Sequence, residues 1–166
     1  DVTAYLEFPN GATGVFIAST GDAPGTNRLE IAGERGKIVI EGSEIQFTRN
    51  EIETSKFCKT TKQAFAKPPV WHVTVPAGGR AGQHGEILRN FVDAINKKAS
   101  LIAPAKEGIR SVEIGNAMLH SSLTKKAVDI PMSGAAFERQ LKKLIKESTF
   151  TKKTRKGVKV DMDSSF

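Results

Sequence analysis

The 166-residue sequence predicts an α+β fold: an open, mainly antiparallel β-sheet with helices packed on one face. Three observations carry that expectation. Short runs with a period of two fill the N-terminal half and are broken by PNG, GDAPG and GERG. From about Gly85 onward the apolar period becomes helical. The strands come first and the helices afterwards, without the β-α-β alternation of a parallel sheet.

Each element follows from local pattern. Val2, Ala4, Leu6 and Phe8 alternate with Thr3, Tyr5 and Glu7, the mark of a half-buried strand. Asn10-Gly11 then signals a hairpin, because both residues tolerate positive φ. Thr13 to Thr20 returns with Val15 and Ile17 on one face and Phe16 and Ala18 on the other, which predicts a central strand. Gly21 to Thr26 is a loop. Asn27–Ala32 and Lys37–Glu41 form a second hairpin around Glu34, Arg35 and Gly36, and Glu44–Thr48 alternates again. A further strand is expected near Ser55–Thr60 and a clean one over Val70–Val75, with Trp71, Val73 and Val75 on one face and His72 and Thr74 on the other.

The helical half starts with a stripe of Leu88, Phe91, Val92 and Ile95 over residues 85–98. Pro104 opens a second helix that runs to about Lys125. Val128–Pro131 reads as a short extended piece, and Ser133 as the N-cap of a third helix carrying Phe137, Leu141, Leu144 and Ile145. Residues 1–150 are expected to form one domain and 151–166 a basic tail. The sheet face opposite the helices carries Tyr5, Glu7, Arg28 and Glu30, so it is either wet or an interface.

Composition narrows the function classes. Hydrophobic residues at 39% and charged residues at 26% fit an ordinary globular domain. No apolar run is long enough to cross a membrane. One cysteine, Cys58, excludes an intrachain disulfide framework and any multi-cysteine zinc site, and makes a reducing cytoplasm the expected compartment. The net charge is +7, but residues 141–166 hold 8 of the 25 Lys and Arg and only 3 of the 18 Asp and Glu. This tail lacks the interleaved aromatics of a stacking platform, so a solvated helix face is expected and a nucleic-acid partner is not.

Candidate chemistry is sparse. Gly79, Gly82 and Gly85 give GxxGxxG after a strand and before a helix, not the G-x-G-x-x-G of a dinucleotide cradle, and no Walker motif occurs. Arg80, Gln83 and His84 at that helix entry could meet an anionic or hydroxylated ligand. The loop from Thr20 to Arg28 concentrates Asp22, Thr26, Asn27 and Arg28, which could hydrogen-bond a polyol; turn chemistry would use similar residues. His72 and His120 read as structural, and the three histidines lack metal-ligand spacing. Cys58 beside Lys56 and Lys59 reads as a small core or edge residue.

The ordered set LEFPNGATGVFIASTGDAPGTNRLEIAGERGKIVIEG, GQHGEILRNFVDAI and APAKEGIRSVEIGNAML resembles the C-terminal domain of Gfo/Idh/MocA oxidoreductases, the glucose–fructose oxidoreductase and inositol dehydrogenase relatives. The resemblance implies a two-domain parent. An N-terminal Rossmann domain would bind NAD or NADP. The C-terminal α+β domain would contact a small sugar or cyclitol and form a homo-oligomer through its open sheet face. It also implies an E-K-P lysine and an aspartate–histidine pair upstream, and neither motif occurs in residues 1–166. With the start at Asp1 directly on a strand, the chain is therefore expected to be a piece of a longer enzyme. No catalytic residue, cofactor site or metal ligand is expected within it, and it should be inactive alone. The alternative is a stand-alone sugar-binding or dimerisation module without redox activity.

Overall fold

The computed structural model describes residues 1–42, 44–76 and 83–151. They fold as an α+β chain with two open antiparallel sheets and four helices. β1 (Val2–Glu7) and β2 (Thr13–Ala18) form a two-stranded ribbon. β3 (Arg28–Gly33), β4 (Gly36–Glu41), β5 (Glu44–Asn50) and β6 (Val70–Pro76) form a meander in that order. The helices are α1 (Thr54–Thr60), α2 (Gln83–Lys97), α3 (Ala105–Thr124) and α4 (Gly134–Glu147). The chain divides into two compact units, the first Asp1–Ile102 and the second starting at Ala103.

The first hairpin closes differently from a two-residue turn. Only Gly11 has positive φ; Gly11 donates its N–H to the Phe8 carbonyl at 2.9 Å, and the Asn10 carboxamide accepts from Ala12 N–H at 3.1 Å. Asn10 thus contributes an Asx turn and leaves the left-handed conformation to glycine. The expectation of a central β2 is corrected: among the described residues β2 pairs only with β1, so its two apolar faces do not reflect a position inside a wide sheet.

The four-stranded sheet is two-faced because its register keeps the period-two patterns in phase. Arg28, Glu41, Glu44 and Pro76 share one row, and Glu30, Val39, Gln46 and Thr74 the next, on a polar face. The other face carries Leu29, Ile31, Ile38, Ile40, Ile45, Phe47, Trp71, Val73 and Val75. Its centre is half-buried at Ile40, Ile45 and Phe47, while Leu29, Ile31 and Trp71 at the margins are exposed.

The strand expected near Ser55–Thr60 is instead α1. The cause lies in the β3–β4 turn. The Glu34 carboxylate accepts from Ser55 N–H at 2.9 Å, and the Glu34 carbonyl accepts from Thr54 N–H at 2.9 Å and from the Thr54 hydroxyl at 3.2 Å. These bonds satisfy amide donors that a helix start leaves without intrahelical partners. The run SKFCKT also lacks the alternation that a strand needs.

α2 keeps its apolar stripe, and Leu88, Phe91, Val92 and Ile95 on it are exposed. Asn90 on the same helix ties down the chain that follows: its side chain donates to the Ser100 carbonyl and accepts from Ile102 N–H, both at 2.9 Å. In the second unit α3 ends at Lys125, which adopts the left-handed conformation (φ 57°) and donates its N–H to Ser121 O. Ser133 caps α4 as the sequence predicts, its hydroxyl oxygen accepting from Ala136 N–H at 3.3 Å. The small Ala117 on α3 is buried, and the His120 ring stands edge-on to Phe137 of α4 with centroids 6.0 Å apart. The Glu113 carboxylate reaches back to Met132 N–H at 2.8 Å and fixes the α3–α4 connection. Val128–Pro131 joins no ladder and contains a cis Ile130–Pro131 bond.

Candidate functional site

The polar sheet face is organised around Arg28, the first residue of β3. Register places it opposite Glu41 of β4, and period two places it on the same face as Glu30. Its guanidinium donates to Glu41 at 2.8 Å and to Glu30 at 2.7 Å, and Lys37 Nζ lies 3.2 Å from the other Glu30 oxygen. Hydrogen bonding from Arg28, then from Lys37, holds the Glu30 carboxyl below the ordinary carboxylate range. Bonding to Glu30 and then Glu41 raises Arg28 further above its already high value, so it stays cationic. These groups lie at the surface, and their ion pairs orient side chains more than they stabilise the fold.

Glu41 continues the row to Glu44 across the β4–β5 turn. Val39, Glu41, Glu44 and Gln46 line a shallow depression on this face. Glu41 and Glu44 offer carboxylate acceptors, Gln46 offers both donor and acceptor, and Val39 gives an apolar floor. Such a set suits hydroxyl groups on a small ring better than an anion. Glu41, Glu44 and Gln46 escaped the site reading of the sequence; the signal that could have found them is the alternation that puts them on the face of Arg28.

The loop from Ser19 to Asn27 leads directly into Arg28. It contains a cis Ala23–Pro24 bond and Gly25 at φ +80°, a conformation that favours glycine. Its base is held by the Ser19 hydroxyl, which donates to Asp1 Oδ1 at 2.6 Å and accepts from Gly21 N–H at 3.1 Å. Asp22, Thr26 and Asn27 are exposed. Of the predicted polyol set, the structure therefore gathers Asp22, Thr26 and Asn27 on one loop and commits Arg28 to Glu30 and Glu41.

Of the helix-entry candidates, Gln83 and His84 fall among the described residues. Arg80 lies outside the described residues, as do the glycines at 78, 79 and 82. Gln83 is the first residue of α2, and His84 is exposed on its first turn. No hydrogen bond among the described residues links His84 to Asp22, Thr26 or Asn27. The basic tail expected over 151–166 falls outside the described residues from 152 onward. Cys58 is exposed on α1. No helix among the described residues is long and apolar enough to cross a membrane.

The family profile described as "Oxidoreductase family, C-terminal alpha/beta domain" matches residues 1–130. The chain belongs to the Gfo/Idh/MocA oxidoreductase family, as a C-terminal domain. The matched span takes in both sheets and α1 to α3, and stops before α4. No curated protein matches the chain. The family is typically NAD(P)-dependent and implies a partner Rossmann domain and a small-molecule substrate. The described residues do not fit a dinucleotide. Every strand pairing is antiparallel, and α2 is followed by α3 rather than by the parallel strand that completes a nucleotide-binding unit.

Proposed function

We propose that this Gfo/Idh/MocA C-terminal domain is the substrate-binding and oligomerisation part of an NAD(P)-dependent oxidoreductase acting on a small sugar or cyclitol. The observation that carries the reading is the junction of a hydroxyl-rich loop with a carboxylate-lined sheet face. Asp22, Thr26 and Asn27 precede Arg28, and Arg28 is bonded to Glu41, a wall of the depression. Multiple neutral and anionic acceptors beside oriented donors suit several hydroxyls on one ring. Arg80, Gln83 and His84 are the second candidate contact.

In this reading the cofactor and the reacting groups lie on an N-terminal Rossmann domain, and the chain alone is folded and inactive. The other end of that polar face, where Lys37 pairs with Glu30 and shares a row with Thr48 and His72, lies beyond the depression and supports a homo-oligomer through the open sheet face. The exposed thiol of Cys58 supports a reducing, cytoplasmic setting.

Isothermal calorimetry with a panel of sugars and cyclitols tests the reading. Saturable binding that Asp22→Ala and Asn27→Ala weaken supports it. Saturable binding that neither substitution changes moves the site elsewhere on the chain. A redox-inactive dimerisation module predicts a dimer with no polyol binding at all.

A further inference from the structure

The four-stranded sheet has two outer strands among the described residues, β3 and β6, and they are treated differently. β3 carries Arg28 and Glu30 on its outward positions, and charges of this kind discourage edge-to-edge pairing. β6, VWHVTVP, has no charged residue and pairs residue for residue with β5, without a bulge.

The direction of its backbone groups follows from one bond. Glu51 N–H donates to Pro69 O at 2.9 Å, which makes Glu51 and Pro69 a hydrogen-bonded pair in the β5–β6 register. Alternation then turns Trp71, Val73 and Val75 toward β5 and Val70, His72 and Thr74 away from it. Asn50 N–H donating to Arg35 O gives the same phase from the β4 side. β6 thus presents three outward amides, bracketed by Pro68 and Pro76, which have none.

We propose that β6 pairs antiparallel with β6 of a second copy of this chain, with His72 opposite His72 on a two-fold axis. Among the two-fold registers this is the one that uses every outward amide with partners inside Val70–Thr74, without calling on a proline carbonyl: Val70 faces Thr74 and Thr74 faces Val70. Pro68 falls opposite Pro76, where no hydrogen bond is needed. The same register sets Trp71 of one protomer beside Val73 of its partner on the apolar face, a favourable aromatic–β-branched cross-strand pair. Both side chains are exposed in the single chain, at 59% and 41%. The two apolar sheet faces then become continuous. This interface is an edge, distinct from the polar face proposed above, and it stands independently of polyol binding.

The test is made on the full chain. In a Cys58→Ala background, His72→Cys places two thiols across a hydrogen-bonded pair, with Cα atoms about 5.5 Å apart, within disulfide range. Mild oxidation should give a disulfide-linked dimer. Adding Thr74→Pro removes an outward N–H and no β5 bond; it should abolish the cross-link and raise the dimer dissociation constant at least about tenfold in sedimentation. Circular dichroism checks that Thr74→Pro stays folded, and His72→Lys, which sets like charges opposite each other, should act in the same direction. Glu30→Lys disturbs the polar face and should leave the cross-link intact. No cross-link, or a cross-link indifferent to Thr74→Pro, overturns the proposal. So does a monomer whose Val70, His72 and Thr74 amides are protected from exchange, since a segment of the same chain would then occupy the edge.

Discussion

Two connections between strands spend their polar residues in opposite ways. The β3–β4 turn uses Glu34, Arg35, Asn50, Glu53, Thr54 and Ser55 on one another, through bonds of 2.9–3.5 Å, and so anchors α1. The Ser19–Asn27 loop uses only Ser19 and Asp1 in that way and leaves Asp22, Thr26 and Asn27 exposed. The same residue types are structural in one place and available in the other. Density of polar residues alone does not mark a site; what matters is whether the fold has already consumed their donors and acceptors.

That contrast is sharpest at Gly36. Its φ is +129°, and a Cβ there would lie 2.0 Å from the Thr48 carbonyl oxygen. Gly36→Ala should destabilise the first unit by about 3 kcal/mol, read as a lowered midpoint in thermal or urea unfolding. At Gly25, φ is +80° but the nearest backbone atom to such a Cβ is 3.6 Å away, so Gly25→Ala should cost less.

In the open loop the expectation reverses, with binding changing and stability not. The pair Asp22→Ala and Asn27→Ala should lower polyol affinity about tenfold, roughly 1.4 kcal/mol, while unfolding shifts by less than about 0.5 kcal/mol. A large loss of stability would show that this loop is also stitched into the fold. In the clamped turn, Thr54→Val removes the hydroxyl that donates to Glu34 O and accepts from the Asn50 side chain. It should cost about 1 kcal/mol in unfolding and leave polyol affinity unchanged.

The smallest effect concerns pH. The Ser55 backbone N–H, followed by the Ser55 hydroxyl, holds the Glu34 carboxyl below its ordinary value of 4.5. A group depressed in the folded state contributes stability above its unfolded value and loses it as pH falls through the lower, folded one. The clamp on α1 should therefore loosen only below about pH 4.5, and Glu34→Gln should remove that part of the acid dependence. Amide exchange at Ser55 followed from pH 6 downward measures it; exchange in Glu34→Gln that keeps the same acid dependence would assign the effect to another group.

Period and punctuation made most of the secondary structure legible. All six strands among the described residues fall where the apolar patterns and turn residues put them, and Ser133 caps α4 as the sequence predicts. α1 was not legible because its start is held by Glu34, about twenty residues earlier, a contact that local pattern cannot carry. β2 misled because apolar residues on both faces of a strand report what will cover it and not how many strands flank it. Asp22, Thr26 and Asn27 are candidates from composition, and the structure shows them exposed. The commitment of Arg28 to Glu30 and Glu41 required the β3–β4 register, and the lining by Glu44 and Gln46 required the next one.

The central claim is a division of labour, with hydroxyl recognition on this chain and the dinucleotide elsewhere. Titrating the purified chain into NADH and NADPH and following nicotinamide fluorescence tests it most directly. The account predicts no saturable change with either nucleotide; tight, saturable binding of one of them to this chain alone would contradict it.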